Sequence, residues 1–174
     1  MAEPARYQLL ALDVDGVLTD GSIMLDDEGR EIKRFNVKDG LAIVTWMRLG
    51  LHAGIITRRA GNAVAHRMRE LGVKHVVQGC QDKREAMRKL AADCGVGLES
   101  AAFIGDDWPD LAAMRVAGFP IAVSDAAPEV KAAARFVTVS PGGRGAVREA
   151  VEHLLSLNRM FDNALALFDG PECR

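Results

Sequence analysis

Short apolar runs alternate along the chain with longer segments whose apolar residues recur at helical spacing. Short apolar runs are typical of strands buried on both faces, whereas apolar positions three and four apart indicate a helix with one buried side. Gly50, Gly72, Gly95 and Gly118 stand where the helical pattern stops. The predicted strands are Leu9–Leu12, His52–Ile56, His75–Val77, Ala101–Ile104, Phe119–Val123 and Phe136–Val139, and the predicted helices are about Gly40–Leu49, Asn62–Leu71, Lys83–Cys94, Leu111–Val116, Pro128–Ala134 and Ala146–Leu157.

This alternation predicts an α/β protein of the Rossmann-like three-layer α/β/α type, with a mainly parallel sheet between two helical layers. Two segments depart from the rhythm. Ser22–Leu25 and Glu31–Phe35 flank an acidic turn that ends in Gly29, and they predict an inserted β-hairpin at about 22–35. The stretch of about 158–174 is too apolar for a disordered tail. We expect one domain over residues 1–174, with the hairpin as a flap or an association surface.

Composition excludes several classes of partner. The 22 basic and 24 acidic residues leave a net charge of −2, and no basic stretch is long enough to follow a nucleic-acid backbone or coat a membrane. No apolar run approaches the roughly 20 residues that cross a bilayer, and the first residues do not resemble a signal peptide. Three widely spaced cysteines favour reduced thiols. We expect a cytoplasmic protein that acts on a small molecule.

The sequence Asp13-Val14-Asp15-Gly16 directly follows the first predicted strand. Residues i and i+2 of an extended segment project to the same side, so both carboxylates can face one site, and Gly16 lets the chain turn. A solvated turn or a calcium loop is the alternative, but this segment follows a strand and lacks the other ligands of an EF-hand. Two carboxylates this close favour a cation of the Mg²⁺ type.

Further polar residues follow the other predicted strands. Ligands of open parallel sheets bind at the carboxyl ends of the strands, so these residues belong to one candidate site. Each has an ordinary structural interpretation when taken alone, as a helix cap or a solvated side chain, but together they supply what phosphoryl transfer requires. They are Thr57, Arg58 and Arg59 after the second strand, Lys83 after the third, and Asp106 and Asp107 after the fourth.

The set predicts a magnesium-dependent phosphomonoester hydrolase. An ionised Asp13 could attack phosphorus to form an aspartyl-phosphate, and Asp15 could protonate the leaving group and then activate water. Asp106 would complete the metal site. Thr57 would donate a hydrogen bond to the phosphate, and Lys83 would offset the repulsion between the two anions that must meet.

These residues resemble the four motifs of the haloacid-dehalogenase-like phosphatases: Asp13-Val14-Asp15-Gly16, Thr57, Lys83 and Gly105-Asp106-Asp107. The resemblance spans most of the chain. It implies that Asp13 is the nucleophile, that Asp15 is the acid/base, and that Mg²⁺ is held by Asp13, by Asp106 and by the backbone carbonyl of Asp15. Asp107 would lie beside these ligands. The segment between Asp15 and Thr57 is too short for the cap domain that many members carry.

Longer stretches resemble the capless family of 3-deoxy-D-manno-octulosonate 8-phosphate phosphatases, which serve lipopolysaccharide sugar synthesis. This resemblance implies a sugar acid phosphate as substrate. It also implies a homotetramer that packs around the hairpin, with each site closed by a neighbouring subunit or by the C-terminal tail. The matching stretches are 35–40, 78–83, 105–111 and 142–149.

Basic residues near the motifs could bind the carboxylate of such a substrate. Lys38, Arg59 and Arg58 are the candidates. Arg58 is also a departure, because the family commonly has Thr-Gly-Arg where this chain has Thr57-Arg58-Arg59. The arginine adds a Cβ and a charge next to the phosphate site.

Other functions stay open. A related phosphatase acting on a sialic-type 9-phosphate would use the same chemistry with a different pocket. A non-catalytic, phosphatase-like regulatory module is disfavoured because every catalytic position is filled. A dinucleotide-binding protein lacks support, since the first strand does not lead into GxGxxG and no P-loop motif occurs.

Overall fold

The fold is organised around the strand β1, Leu9–Leu12, which is buried along its whole length. The structure is a computed structural model and describes residues 6–169. β1 pairs in parallel with a strand on each side, so that Leu12 lies level with Ile55 on one neighbour and Ile104 on the other. A strand with no free edge and two covered faces has to be apolar throughout, which explains the Leu-Leu-Ala-Leu sequence.

Within residues 6–169, six parallel strands form one sheet and two short strands form a hairpin. Their bounds are β1 Leu9–Leu12, β2 Met24–Leu25, β3 Glu31–Ile32, β4 His52–Ile56, β5 His75–Val77, β6 Ala101–Gly105, β7 Phe119–Ala122 and β8 Phe136–Val137. The sheet order is β5-β4-β1-β6-β7-β8. The chain builds one side of β1 and then crosses to the other, so β1 is the topological switch point where such sheets bind ligands.

Helices cover both faces of the sheet. They are α1 Val37–Arg48, α2 Asn62–Leu71, α3 Lys83–Asp93, α4 Leu111–Met114, α5 Pro128–Ala133, α6 Ala146–Leu157 and α7 Phe161–Ala166. Helix α1 packs on α2 and α6 in one layer, and α4 packs on α3 and α5 in the other. The predicted three-layer α/β fold is therefore confirmed. Along the described residues, no helix combines the length and apolarity needed to span a membrane.

The predicted elements are confirmed with small shifts at their ends. β4, β5, α2 and α6 have the predicted bounds, while β7 and β8 end sooner than predicted. Helix α1 begins at Val37 rather than Gly40, because the Asn36 side chain accepts a hydrogen bond from the Lys38 backbone and caps the helix. Gly40 lies inside the helix, where a Cβ would stand 2.3 Å from an Arg67 nitrogen. Close packing, and not a helix start, explains this glycine.

The inserted hairpin is confirmed, although its paired strands β2 and β3 are shorter than predicted. Asp26 shapes the turn, since its Oδ1 accepts hydrogen bonds from the backbone N–H groups of Glu28 and Arg30. Four large apolar side chains of the hairpin are exposed. We call this exposed apolar set the outer hairpin face, and it consists of Ile23, Met24, Leu25 and Ile32.

The C-terminal stretch is ordered against the body of the protein over its described part. Asn158 exchanges two hydrogen bonds of 2.8 Å with the Tyr7 backbone, and α7 then packs on α6 with Ala164 buried. Residues 170–174 of the predicted tail lie outside the described residues. The packing of α7 against α6 explains why the described part of this stretch is apolar.

Candidate active site

The predicted site residues lie at the edge of the sheet where β1, β4 and β6 end. The Asp13 backbone donates to the Ile104 carbonyl at 3.1 Å, so Asp13 emerges beside the end of β6. Thr57 follows β4 and Asp106 follows β6, and because the strands are parallel they reach the same edge. An open pocket of about 310 Å³ lies there. Its lining is Asp13, Asp15, Gly21, Thr57, Arg58, Arg59, Lys83, Asp106, Asp107, Pro109 and Asp110.

The predicted site residues meet in this pocket with one exception. Lys38 does not line it, and instead lies exposed in the first turn of α1. None of the described tail residues lines it either. All the other predicted site residues line the pocket, so four regions of the chain converge there as the motifs predict. They are the four catalytic candidates Asp13, Asp15, Thr57 and Lys83, together with Asp106, Asp107, Arg58 and Arg59.

Lys83 is held in a fixed position at the start of α3. Asp82 caps the helix through hydrogen bonds from the backbone N–H groups of positions 84 and 85. The Lys83 side chain is only 3% exposed, with Nζ 2.8 Å from Asp13 Oδ1 and 2.6 Å from Asp110 Oδ1. Burial opposes a charge on Lys83, but the carboxylates of Asp110 and Asp13 outweigh burial and raise its pKa. Lys83 is therefore a permanent cation beside Asp13.

Asp110 is a site residue to which sequence analysis gave no role. While its Oδ1 accepts from Lys83, its Oδ2 accepts from the backbone N–H groups of Asp106 and Asp107, at 2.9 and 3.2 Å. Gly105 leaves the room this requires, since a Cβ there would stand 2.5 Å from Asp110 Cβ. The available signal was a third carboxylate four residues after Asp106, at the start of a helix. Asp110 fixes the direction in which Asp106 projects.

The buried carboxylates fit a divalent cation. Oxygens of Asp13, Asp106 and Asp110 lie within 4.8 Å of one another, with Lys83 as the buried cation among them. Asp106 Oδ1 is buried and accepts no hydrogen bond from any described residue. Burial, and then the charge of Asp110, raises the pKa of Asp13 to about 6 and that of Asp106 to about 8. A hard dication would neutralise this excess charge and occupy the free oxygen.

Asp110 differs from the other two carboxylates because both of its oxygens already accept hydrogen bonds. Asp13 and Asp106 are therefore better placed to bind metal, with Asp110 supporting them. Asp15 contributes no side-chain oxygen to this cluster. Its predicted contact with Mg²⁺ runs through its backbone carbonyl and stays a prediction.

The turn after β1 has no space for a side chain. Gly16 adopts a φ of +92°, and a Cβ there would lie 2.0 Å from Asp106 Oδ2. From the opposite side, a Cβ on Gly142 would lie 1.7 Å from the Gly16 carbonyl oxygen. The left-handed backbone and the close approach both require glycine. The loop that contains Gly142 therefore packs directly against the turn that follows β1.

Asp15 faces a second group of charges that comes partly from the hairpin. The ammonium of Lys33 contacts its Oδ1, and Arg59 Nε lies 3.9 Å from its Oδ2. Glu31 accepts from both cations, at 3.2 Å from Lys33 and 2.6 Å from Arg59. Sequence analysis assigned no role to Lys33 or Glu31. The available signal was their spacing in the sequence. Residues two apart in an extended segment project to the same side, so Glu31 and Lys33 could have been expected to face one group.

Comparisons with known proteins agree with this geometry. Residues 70–150 match the family model for haloacid dehalogenase-like hydrolases. The 3-deoxy-D-manno-octulosonate 8-phosphate phosphatase KdsC of Escherichia coli (strain B / BL21-DE3) is 40% identical over 94% of this chain and 87% of its own. The crystal structure of the Moraxella catarrhalis 3-deoxy-D-manno-octulosonate 8-phosphate phosphatase, in complex with magnesium ion, phosphate ion and a KDO molecule, is 41% identical, covers 95% of each chain and superposes with a TM-score of 0.91.

The chain is a haloacid dehalogenase-like phosphatase. The predicted family resemblance, the fold class and the phosphomonoester hydrolase activity are confirmed at this level. The cobalt-bound enzyme of Haemophilus influenzae, 35% identical over 94% of this chain and 98% of its own with a TM-score of 0.89, has the same fold. Divalent metals are thus present in two structures of this phosphatase family, in agreement with the carboxylate cluster found in this chain.

Arg58 occupies the position of the family's usual glycine without backbone strain. It is exposed at the pocket, and it is not among the described residues with a positive φ. The glycine of relatives is therefore not needed here for a left-handed backbone. The substitution adds a second guanidinium beside Arg59 at the mouth of the pocket.

Proposed function

We propose that this phosphatase hydrolyses 3-deoxy-D-manno-octulosonate 8-phosphate, with Mg²⁺ as cofactor, in the cytoplasmic synthesis of a lipopolysaccharide sugar. The observation that carries the proposal is the cluster of buried Asp13, Lys83 and Asp110 with half-buried Asp106 at an open pocket. Relatives that act on this substrate match almost the whole chain.

The first half of the reaction transfers the phosphoryl group to Asp13. A carboxylate oxygen of Asp13 attacks phosphorus as the bond from phosphorus to the ester oxygen breaks, and Asp15 gives its proton to the departing alkoxide. Lys83, 2.8 Å from Asp13 Oδ1, reduces the repulsion between carboxylate and phosphate. The products are the free sugar acid and an aspartyl-phosphate.

The second half returns the enzyme to its starting state. Asp15, now a carboxylate, takes a proton from water as the water oxygen attacks phosphorus, and the bond to Asp13 breaks. Inorganic phosphate leaves, Asp13 is a carboxylate again, and Asp15 holds a proton for the next cycle. Thr57, buried at the end of β4, donates a hydrogen bond to the phosphoryl oxygens in both halves.

Mg²⁺ would be held by the side chains of Asp13 and Asp106 and by the backbone carbonyl of Asp15, with Asp107 beside them. When bound, it supplies positive charge to the phosphoryl oxygens. The chain itself orients the carboxylate oxygens that would bind the metal. Asp110 contributes to this by accepting hydrogen bonds from the Asp106 backbone on one side and from Lys83 on the other.

The substrate carboxylate would meet the basic rim of the pocket. Arg58 and Arg59 line it, and Lys38 could join from the first turn of α1. Arg59 is already bound to Glu31, which fixes the direction of its guanidinium. Bidentate binding of a carboxylate by arginine would favour a sugar acid over a neutral hexose phosphate.

A homotetramer formed through the outer hairpin face would complete an otherwise open site. Four apolar side chains of this face are exposed, a pattern that marks protein interfaces. Each chain would then act as one domain whose pocket is closed by its neighbour, which excludes water from the phosphoryl group.

The test is phosphate release from a panel of substrates, with Mg²⁺ and with chelator. The panel contains 3-deoxy-D-manno-octulosonate 8-phosphate, a sialic-type 9-phosphate, hexose phosphates and p-nitrophenyl phosphate. We expect a strong preference for the eight-carbon acid, abolished by chelator. Preference for the nine-carbon acid would favour the alternative substrate and implicate Arg58 in the change. Release that ignores chelator, or no release, would refute the proposal.

A further inference from the structure

Lys33 is buried in a part of the molecule that is otherwise exposed. Its side chain is only 2% exposed, although it follows β3 in a hairpin whose paired residues lie near or at the surface. A lysine ammonium withdrawn from water has to be paired, because desolvating an isolated charge is costly. Its partners are Asp15 Oδ1 and Glu31 Oε1. The hairpin therefore delivers one cation to the candidate acid/base.

Glu31 and Arg59 fix this cation from the other side. Glu31 Oε1 lies 3.2 Å from Lys33 Nζ and 2.6 Å from Arg59 Nη2, so one carboxylate oxygen joins both cations. Arg59 lies in the bend that follows β4. The group joins the carboxyl groups of Asp15 and Glu31 to the side chains of Lys33 and Arg59. Lys33 is thus tied through Glu31 to the segment after β4 and does not depend on Asp15 alone.

Asp15 needs such support because of where it lies. It is part of the turn after β1, is half-buried, and faces the pocket. Within residues 6–169, Lys33 and Arg59 are its ion-pair partners. A general acid acts only when its carboxyl is within hydrogen-bond reach of the departing oxygen, so a small rotation would cost much of its effect.

We propose that Lys33 is a positioning residue, which holds the Asp15 carboxyl toward the leaving group while Glu31 and Arg59 hold Lys33. The proposal rests on the proposed function, and it gives the hairpin a role within its own chain. Ile32 of the outer hairpin face is exposed. Its two neighbours in sequence, Glu31 and Lys33, project to the opposite side of the strand and form the ion pairs around Asp15.

The experiment compares Lys33→Met with the unaltered enzyme on two substrates. One is 3-deoxy-D-manno-octulosonate 8-phosphate, whose alkoxide leaves only if it is protonated, and the other is p-nitrophenyl phosphate, whose aryl oxide leaves with little help. The quantity measured is kcat/KM, which reports the steps up to loss of the leaving group. We expect it to fall roughly 10²-fold for the sugar phosphate and less than about tenfold for the aryl phosphate.

Three further variants separate positioning from general damage. Lys33→Arg, which keeps the charge, should recover part of the loss on the sugar phosphate. Asp15→Asn should show the same dependence on leaving group, and Lys33→Met should add little to it in the double variant. Arg30→Met is the matched control, because Arg30 is a 70% exposed hairpin cation that pairs with Asp26 and Glu28 and should leave both substrates unaffected.

Equal losses on both substrates, or no loss on either, would overturn the positioning role. Additive losses in the double variant would also overturn it, since two groups that act as a unit are not additive. If the unaltered enzyme releases no phosphate from any substrate, the proposed function fails and the positioning role fails with it. A melting temperature for each variant shows whether the hairpin still folds.

Discussion

Two lysines serve two aspartates in this molecule, and they come from very different places. Lys83 lies at the capped start of a helix, is 3% exposed, and pairs with Asp13. Lys33 lies on a two-stranded hairpin, is 2% exposed, and pairs with Asp15. The two lysine side chains are equally buried, but one is held by a capped helix and the other by a short hairpin. The proposed nucleophile, Asp13, is paired by a residue of the core, whereas the proposed acid/base, Asp15, is paired by a residue of the hairpin.

The two lysines differ in how firmly the fold holds them in place. Lys83 is buried at the capped start of α3, so we expect the cation beside Asp13 to persist as long as the fold does. Lys33 depends on an element with few backbone pairs, and a hairpin of this size is marginal by itself. In the proposed tetramer, packing of the outer hairpin face against another chain would stabilise the hairpin. Assembly would then influence the proposed proton transfer by Asp15 and leave the environment of Asp13 unchanged.

Replacement of Lys83 should have the largest effect. In Lys83→Met the carboxylates of Asp13 and Asp110 lose their cation inside the core, which should cost about 3–5 kcal/mol of unfolding free energy. Activity should fall by roughly 10³-fold on both alkyl and aryl phosphates, because the lost charge acts on the phosphoryl group itself. Urea unfolding and kcat/KM measure the two effects.

Lys89→Met on the same helix is the control, since Lys89 is 75% exposed and pairs only weakly with Asp93. It should change neither quantity appreciably. A Lys83→Met loss confined to the sugar phosphate would contradict the comparison, because that pattern belongs to Lys33.

Mg²⁺ should stabilise the protein more at high pH than at low pH. Burial raises the pKa of Asp13 to about 6 and that of Asp106 to about 8, so without metal the folded chain binds more protons than the unfolded one. That contribution to stability is present below the ordinary carboxyl pKa and is lost as pH rises through these two values. At about a hundred times its Kd, Mg²⁺ should raise Tm by roughly 5–10 °C near pH 8.5.

Near pH 5 the shift should be much smaller, because protons compete with the metal for the same oxygens. Calorimetry at the two pH values provides the measurement. Asp106→Asn should remove most of the dependence, and a shift that does not vary with pH would show that the metal binds elsewhere. Lys33→Met should keep the dependence, since its partner Asp15 contributes no side-chain oxygen to the cluster.

A charge on the outer hairpin face should have the smallest effect on the isolated chain and a clear effect on assembly. Ile23→Asp or Ile32→Asp should lower the mass measured by light scattering, while the stability of the isolated chain changes by less than about 0.5 kcal/mol. Val139→Asp is the control, because Val139 is 87% exposed outside the hairpin. An unchanged mass would remove the hairpin from the interface.

The sequence was sufficient for the sheet and for the four regions that carry the chemistry. Buried parallel strands are apolar on both faces and end at polar residues, so the runs before Asp13, Thr57 and Asp106 show where each strand ends. Switch-point topology then places these ends together. The start of helix α1 was predicted wrongly. Glycine is common at helix boundaries, but Gly40 lies inside the helix and allows close packing with Arg67.

The residues that escaped prediction act through contacts between distant segments. Asp110 has an ordinary place at the start of a helix, and only the fold brings it to Lys83. Lys33 and Glu31 belong to a hairpin whose position relative to Asp15 has no local signal. Lys38 lies within the matching stretch 35–40 and was a candidate for binding the substrate carboxylate, but it does not line the pocket of its own chain.

The candidate metal cluster forms only through long-range pairing in the sheet. Asp13 and Asp106 sit at the ends of neighbouring strands, yet they are far apart in sequence, and they meet only after β1 and β6 have paired. Pairing over such a distance comes late because a long loop must close first. A cation would therefore find no complete set of ligands before the sheet has formed. We expect bound Mg²⁺ to slow unfolding and to have little effect on the folding rate.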